Sequence, residues 1–431
     1  MTLNTNFVIM KNIETIRLLF AANIISGLAQ GITMVAIPWY FIKIVNAPEK
    51  FTTAYLVITF LTLFWGLYAG TLIDRYSRKR IFIIVNVICG LLIGGISIYG
   101  FFASHVLDSL VILVFAITIF NYNIHYPNLY AFGQEITEKE YYGKLNSYIE
   151  VQGQTTSVLA GAFAAILLTG VPDGELNVAG ISLKLPFSID AWKIHEIFML
   201  DAITYLFVIF LFIIMKYKRV SRENRNSGSL LLRFHQGINY LKDNSVIFVF
   251  GVFSYMLFAF TLVEIHIILP SYVYDFLKQD GNIYASAEIY YSIGAILAGV
   301  LVLRVFSKLT TFISIIILMI LVSIVLYFMT FYNLLWLFFL GNLIIGVTNA
   351  GVRILRTTYL LNNIPNNLIG RAGSVFSSLN ICVRMLLISL LTLPFFNLED
   401  NIRYGYLLGL VLMVISLLIL FILYKKTHNL K

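Results

Sequence analysis

The sequence is poor in charged residues and in cysteine, and it lacks the short motifs of most enzymes. Only 12% of its 431 residues are charged and 59% are hydrophobic, whereas soluble globular chains carry about 25% charged residues. The two cysteines, Cys89 and Cys382, lie far apart within apolar runs, so they fit neither a disulfide framework nor a metal site. The chain has no Walker loop and no nucleophile elbow. We therefore expect no enzymatic activity, no metal, no cofactor and no direct use of ATP.

Long apolar runs make up most of the chain, and twelve of them are near the roughly 20 residues that a helix needs to cross a bilayer. The sequence therefore predicts an all-α polytopic membrane protein embedded in a lipid bilayer. The predicted spans lie at about 16–42, 52–73, 81–103, 108–131, 146–170, 198–215, 245–270, 287–303, 311–330, 335–361, 372–396 and 403–424.

Two polar segments interrupt this pattern. Residues 216–244 divide the spans six and six, and their second part, from Ser229, has the periodicity of an amphipathic helix on a membrane surface. Residues 171–196 form an unusually long loop, in which the alternating stretch ISLKLPFSID predicts a small strand or hairpin. The expected domains are thus an N-terminal bundle at 1–215 and a C-terminal bundle at 245–431, joined by the central loop 216–244.

The positive charges are distributed unevenly between the loops. The net charge is +9, and most of the 30 Lys and Arg residues fall on the side of the membrane that holds both termini and the central loop. Basic residues accumulate in cytoplasmic loops, so we expect both termini in the cytoplasm and a bacterial inner membrane as the location. Topology explains the basic excess, and no nucleic acid partner is expected.

Weak internal repeats relate the two halves. Alignment of GTLIDRYSRKR with GVLVLRVFSKL pairs Gly70 with Gly299, and alignment of GKLNS with GRAGS pairs Gly143 with Gly370. Both matches have nearly the same offset, and each lies at the same place in its half. The pattern predicts two pseudo-symmetric six-helix bundles, an architecture typical of secondary transporters.

The stretch GLYAGTLIDRYSRKR concentrates charge between the second and third spans. It resembles the loop signature of the major facilitator superfamily, with Gly70, Asp74, Arg75 and Arg78 at signature positions and Ser77 in place of the second glycine. The resemblance implies the major facilitator fold and a small-molecule substrate. It also implies a cytoplasmic conformational latch formed by Gly70, Asp74, Arg75 and Arg78. A simple topological anchor is the alternative interpretation of these charges.

Several segments look most like the drug:proton antiporter branch, which includes macrolide-efflux-like and siderophore-exporter-like proteins. These segments are YPNLYAFGQEITEKEYYGKLNSY, FMLDAITYLFVIFLF and IPNNLIGRAGSVFSSLN. The fifth span departs from that branch, because Ala160 and Gly161 stand where a glycine–proline pair is expected. The fourth span also lacks the arginine that many proton-coupled antiporters carry.

Ionisable residues within spans are candidates for function, because their burial in hydrocarbon is costly. Arg384 is the deepest base, and it could bind an anionic substrate or pair with an acid. Glu264 is a candidate proton carrier or a water-exposed carboxylate at the rim, and His266 points to a different face. Arg353 and Arg356 share a face near the cytoplasm, where extension towards lipid phosphates is the favoured interpretation.

Polar residues of the N-terminal spans form a second group of candidates. His125 can change its charge near neutral pH, although a neutral, hydrogen-bonded core histidine is the more common outcome. Glu150 could line a cavity or pair with a base from a loop. Asn23 and Gln30 lie on one stripe of the first span, where they could contact a solute or a neighbouring helix.

The sequence thus predicts a secondary active transporter that exports a small amphipathic compound in exchange for protons. An importer of a metabolite or a lipid flippase on the same fold is the alternative. A membrane receptor without transport activity, whose loop 171–196 binds a partner, is the second alternative.

Overall fold

The structure of the protein is a computed structural model that describes residues 12–138, 141–178, 180–184, 186–217 and 230–428. Within these residues, twelve helices are long and apolar enough to cross a membrane. They coincide with the twelve predicted spans, although most extend further at one or both ends. The helices are α1 Ile13–Lys43, α2 Pro48–Arg75, α3 Arg78–Ala103, α4 Asp108–Ile136, α5 Tyr142–Thr169, α6 Ile194–Ile214, α8 Ser245–Phe276, α9 Gly281–Val305, α10 Thr311–Phe331, α11 Leu335–Asn363, α12 Asn366–Leu391 and α13 Tyr404–His428.

A shorter helix, α7 (Leu230–Asp243), precedes α8 and packs against the beginning of α12. At this contact a Cβ atom on Gly237 would lie 2.5 Å from the carbonyl oxygen of Arg371, so only glycine allows the two helices to approach so closely. The predicted amphipathic helix is thus present, while residues 218–229 of the central loop lie outside the described residues.

The loop between α5 and α6 contains a two-stranded antiparallel sheet. Strands β1 (Glu175–Val178) and β2 (Ile181–Lys184) pair in register, with Glu175 opposite Lys184 and Val178 opposite Ile181. The first four residues of the alternating stretch therefore form a strand as expected, but its partner, β1, lies before that stretch. The strand ends before Pro186, which could not donate to the ladder.

Helix α8 is irregular over its second half. Two stretches, Glu264–Ile268 and Tyr272–Phe276, are wound as π-helix, and Leu269–Ser271 separates them. Pro270 lies in the middle of this region and has no backbone N–H to donate, so it cannot continue an ordinary α-helical ladder. Such π-helical segments are frequent at functional sites.

The described residues form two compact units. The first lies within Met1–Thr33, Trp65–Thr156 and His195–Ser227. Its core is aromatic and aliphatic: Phe82 of α3 stacks on Phe212 of α6 with ring centroids 4.6 Å apart, and Phe132 of α4 packs edge-on against Phe82.

The second unit lies within Met34–Phe64, Ser157–Ile194 and Gly228–Lys431. It combines the C-terminal helices with the end of α1, the beginning of α2 and the end of α5. Helices α9 and α11 approach each other closely in this unit, because a Cβ atom on Gly294 would lie 2.1 Å from the carbonyl oxygen of Leu343 and one on Gly346 would lie 2.0 Å from that of Tyr291. Small residues at helix interfaces permit such approaches in membranes.

Candidate functional site

A group of buried polar side chains lies inside the second unit, and two carboxyl groups form its centre. Glu264, on the first π-helical stretch of α8, is only 1% exposed. The hydroxyl of Tyr406 on α13 donates a hydrogen bond to its Oε1 across 3.0 Å. Glu264 is therefore not a carboxylate at a water-exposed rim, which was the alternative interpretation of its position in the sequence.

The second carboxyl group belongs to Glu288 on α9, which sequence analysis missed. Ser292, one turn further along the same helix, donates to Glu288 Oε1 across 3.5 Å. Ser157, near the middle of α5, also forms a hydrogen bond with Glu288. Glu288 and Glu264 are close enough to interact electrostatically, and no base forms a salt bridge with either within the described parts of the chain.

Aromatic side chains enclose this pair. Tyr284 is 3% exposed and lies within electrostatic range of both carboxyl groups. Its ring stacks on Trp39 of α1, with centroids 5.5 Å apart. Beside this stack, Lys43 at the end of α1 forms an ion pair with Asp280 just before α9. The end of α1 is thus attached to the beginning of α9 by both an aromatic and an ionic contact.

Helices α5 and α9 also approach closely near Glu288. A Cβ atom on Gly161 would lie 2.9 Å from the carbonyl oxygen of Ala285 and 3.2 Å from the Cβ of Glu288. The glycine that stands where an antiporter-type proline was sought therefore permits tight packing between α5 and α9.

A second cluster in the same unit contains Arg384 of α12. Its guanidinium group forms a hydrogen bond with the hydroxyl of Tyr55 on α2 and lies near His266 of α8. The rings of Tyr55 and His266 meet edge to face, with centroids 5.5 Å apart. The Tyr55 hydroxyl also donates to the carbonyl oxygen of Leu262 across 3.3 Å. Arg384 thus faces neighbouring helices and not lipid.

The polar candidates of the N-terminal helices all lie in the first unit, but they do not form one cluster. His125 Nε2 lies 2.8 Å from Asn23 Oδ1, and the Asn23 amide donates to Gln152 Oε1. The hydroxyl of Tyr130 donates to Glu150 Oε1 across 2.8 Å. Gln30 is separate from this network and donates to the carbonyl oxygen of Thr118 at 3.4 Å. Of the four predicted residues in this group, the structure brings only His125 and Asn23 together.

The motif between α2 and α3 makes its described contacts within the first unit. Arg78 Nη1 forms an ion pair with Glu135 Oε2 at 2.5 Å, with Glu135 only 2% exposed. Arg75 is exposed, and a Cβ atom on Gly70 would meet nothing within 4 Å. Asp74 lies in the last turn of α2, and its side chain is outside the part of the chain that the structure describes. The latch therefore stays a prediction.

One expectation is wrong. Arg356 of α11 does not extend towards lipid headgroups, because it is 3% exposed. Its Nη1 donates to the carbonyl oxygen of Ser254 across 2.9 Å, and its guanidinium carbon lies 3.5 Å from the ring centroid of Tyr255. The hydrogen bond and the aromatic face stabilise its charge inside the helix bundle.

Asp201 of α6 is a further buried acid, to which sequence analysis assigned no contact. It is fully buried in the first unit, where Thr33 Oγ1 donates to its Oδ2 across 3.1 Å. Tyr205, one turn along α6, receives a hydrogen bond at its hydroxyl from Asn121 of α4. These contacts join α1, α4 and α6.

Comparisons with known proteins agree with this architecture. No curated protein matches the chain in sequence, but solved structures match nearly all of it. They include a mutant of the nucleoside transporter NupG, with a TM-score of 0.71, 13% identity and coverage of 95% of this chain and 100% of that one. A bacterial homologue of the iron transporter ferroportin in its inward-facing state has a TM-score of 0.70, 13% identity and coverage of 95% and 98%.

A D-xylose–proton symporter is similar to the same extent, with a TM-score of 0.69, 13% identity and coverage of 95% of this chain and 97% of that chain. At such identities these structures show the shared fold alone. The family model described as Major Facilitator Superfamily matches residues 19–385, and the chain therefore belongs to the major facilitator superfamily and is a multi-pass membrane transporter.

Proposed function

We propose that the protein is a secondary active transporter that uses a proton gradient to export a small amphipathic compound by alternating access. It would lie in a bacterial inner membrane with both termini in the cytoplasm. Membership of the superfamily supports transport itself, and the distribution of basic residues supports the orientation.

The observation that carries proton coupling is the carboxyl pair Glu264 and Glu288. A carboxyl group crosses hydrocarbon far more readily in its neutral form, and unpaired intramembrane acids commonly serve as proton relays in transporters. Tyr406 donates a hydrogen bond to Glu264, and Ser157 and Ser292 form hydrogen bonds with Glu288. The pair can take up or release protons when its access to water changes.

Contacts of the second unit explain how that access could change. Ser157 of α5 contacts Glu288, and the Trp39–Tyr284 stack and the Lys43–Asp280 ion pair attach α1 to α9. With the proposed orientation, the two contacts of α1 lie towards the outer side of the membrane, and the Ser157 contact lies near the middle of α5. Opening that side would separate α1 and α5 from α9 and expose Glu288 to external water.

The charged motif would act on the cytoplasmic side. We propose that Gly70, Asp74, Arg75 and Arg78 form a latch, in which Arg78 is held in place by Glu135. Such a latch can contribute only a few kcal/mol, because a much stronger contact would trap one state. Unchanged transport of every identified substrate by Asp74→Asn in membrane vesicles would contradict the latch.

Export is proposed from the resemblance of three segments to the drug:proton antiporter branch. Import of a metabolite and flipping of lipids are the competing functions. The test measures accumulation of ethidium, norfloxacin and fluorescein in cells with and without the gene, before and after an uncoupler. Lower accumulation with the gene that disappears on uncoupling supports export, whereas higher accumulation indicates import.

Carboxyl variants test the coupling in the same assay. Glu264→Gln and Glu288→Gln should each strongly reduce the uncoupler-sensitive difference, because an amide cannot carry a proton. Glu49→Gln is the matched control, since Glu49 is an exposed acid at the beginning of α2. Full uncoupler-sensitive export by both buried variants would contradict proton coupling through this pair.

A further inference from the structure

A guanidinium group without a carboxylate partner lies in the second half of α12. Arg384 is adjacent to Tyr55 and His266, which are 2% and 9% exposed. Within the ranges that the structure describes, Arg384 forms no salt bridge. We propose that Arg384, Tyr55 and His266 bind the anionic group, a carboxylate or a phosphate, of a small organic substrate. This inference rests on the proposed transport function and names the substrate class of the site.

The first argument concerns charge. A cation deep in a membrane protein is costly unless a counter-charge or strong polar contacts compensate it. The buried Arg356 has such compensation from a backbone carbonyl oxygen and an aromatic face. Arg384 is only partly buried, so a ligand can reach it, and its described contacts are a neutral phenol and an imidazole. Its charge is thus left for a ligand.

The distribution of the buried acids supports the same conclusion. Glu264 interacts with Tyr406 and with Glu288, and Glu288 interacts with Ser157 and Ser292. Neither acid forms an ion pair with Arg384 in the described part of the second unit. The two carboxyl groups and the guanidinium group are thus separate sites, one suited to protons and the other to an anion.

The second argument concerns hydrogen-bond donors. The Tyr55 hydroxyl uses its single proton on the carbonyl oxygen of Leu262, so it meets Arg384 as an acceptor. A guanidinium group has five N–H donors in a planar fork, and the Nε of Arg384 is buried without a hydrogen-bond partner among the described atoms. Planar donors of this kind match carboxylate and phosphate oxygens in a bidentate geometry.

Tyr55 and His266 also restrict where the guanidinium group can lie. Their edge-to-face contact joins α2 to α8, and Tyr55 is further held by the backbone of α8. Arg384 is therefore bordered by two side chains from two other helices. An anionic group bound there would contact α12 through Arg384 and would adjoin α2 and α8.

The test is ligand-dependent melting of the purified full-length protein in lipid nanodiscs. The probes are benzoate, phenyl phosphate and the uncharged benzamide, which share a ring and differ in the charged group. A ligand that binds the folded state raises the melting temperature by mass action. We expect benzoate or phenyl phosphate to raise it and benzamide to leave it unchanged. Comparison of the two anions shows whether the site prefers a carboxylate or a phosphate.

Substitutions assign the effect to Arg384. Arg384→Gln should weaken binding of the effective anion on the order of 10- to 100-fold, the loss of a charge-assisted hydrogen bond. Arg384→Lys keeps the positive charge but loses the planar set of N–H donors, so it should bind the anion with intermediate affinity. It also provides a test if the Arg384→Gln protein does not fold. Arg304→Gln is the control, because Arg304 is an exposed base at the end of α9. The proposal is overturned if neither anion stabilises the wild-type protein, or if Arg384→Lys and the folded Arg384→Gln bind as tightly as wild type.

The binding test and the transport test fail independently. Anion binding that depends on Arg384, without uncoupler-sensitive movement of any compound, contradicts the proposed transport and leaves the site in place. Uncoupler-sensitive export that Arg384→Lys and Arg384→Gln leave unchanged contradicts the anion site and leaves the transport function in place.

Discussion

Tyr406 of α13 donates its hydroxyl proton to Oε1 of Glu264 at the point where α8 changes from α-helix to π-helix. Both side chains are buried, with exposed fractions of 0% and 1%. Because the donor comes from another helix, the geometry of this carboxyl group depends on the packing of α13 against α8.

The Tyr406 contact allows the structural role of Glu264 to be separated from its proposed proton-carrying role. Glu264→Gln retains an oxygen that can accept from Tyr406, so we expect near wild-type thermal stability together with loss of uncoupler-sensitive export. Tyr406→Phe removes the donor and should lower the free energy of unfolding by about 1–3 kcal/mol. Melting in nanodiscs and the accumulation assay measure the two quantities. A stable Glu264→Gln protein with wild-type export would contradict the assignment.

The two buried acids should behave as one functional unit. Residues in direct interaction give non-additive effects in double variants, and Glu264 and Glu288 interact electrostatically. We expect the double variant Glu264→Gln/Glu288→Gln to lose no more export than the more impaired single variant. Additive losses would show that the two carboxyl groups act separately. A double variant of Glu264→Gln with Glu49→Gln is the matched control, because Glu49 is exposed.

The ion pair between Arg78 and Glu135 should contribute strongly to the thermal stability of the protein. Removal of one partner of a buried pair typically costs about 3–5 kcal/mol, and Glu135 is almost fully buried. Arg78→Ala and Glu135→Ala should therefore each lower the melting temperature markedly, and the double variant should lose less than the sum of the two. Arg80→Ala, at an exposed base two residues away, should have little effect. Strict additivity would show that the ion pair contributes nothing.

The contact between α9 and α11 leaves no room for a side chain at Gly346. Gly346→Val would place its Cβ at 2.0 Å from a backbone oxygen of Tyr291, and a backbone cannot move aside as a flexible side chain does. We expect loss of the folded protein, measured as loss of the monodisperse peak in detergent extracts. Gly299→Val is the control, since its Cβ would meet nothing within 4 Å. Normal yield of Gly346→Val would mean that the helices are further apart than described.

Hydrophobicity and length were sufficient to predict the twelve helices, because the requirement for about 20 apolar residues constrains each span separately. The position of an acid within a span was harder to interpret. Glu264 lies near the end of its predicted span, and sequence alone did not distinguish a buried carboxyl group from a rim carboxylate. Its burial depends on Tyr406, which is far away in the chain.

Glu288 was missed because of a helix boundary. The predicted span began at 287, which placed Glu288 at its first turn, where a carboxylate near the interface is unremarkable. The helix in fact begins at Gly281, after the N-cap residue Asp280, so Glu288 lies two turns inside. The stretch GNIYASAE contains small and polar residues that lower the mean hydropathy without preventing a helix. Its alanines and its serine were the available sign that the helix begins before residue 287.

Arg356 was misinterpreted for a related reason. An arginine near the cytoplasmic end of a span commonly extends to the interface, and the sequence contains no indication that Ser254 and Tyr255 would instead face it. Those residues lie on another helix about a hundred positions away, and only tertiary packing brings them to Arg356. Contacts of this kind can be identified only from the three-dimensional structure.

The π-helical stretches of α8 change the direction in which its side chains point. An α-helix advances by about 100° for each residue, and a π-helical turn holds one more residue, so the surface beyond it is rotated with respect to the surface before it. Before the first π-helical stretch the helix meets Arg356 at Ser254 and Tyr55 at Leu262, and Tyr406 meets it at Glu264, where that stretch begins. Beyond the stretch, the Tyr272 hydroxyl donates to the Met329 carbonyl oxygen. A straight helical wheel drawn through 245–276 would therefore misplace the residues beyond Ile268, Tyr272 among them, relative to those before Glu264.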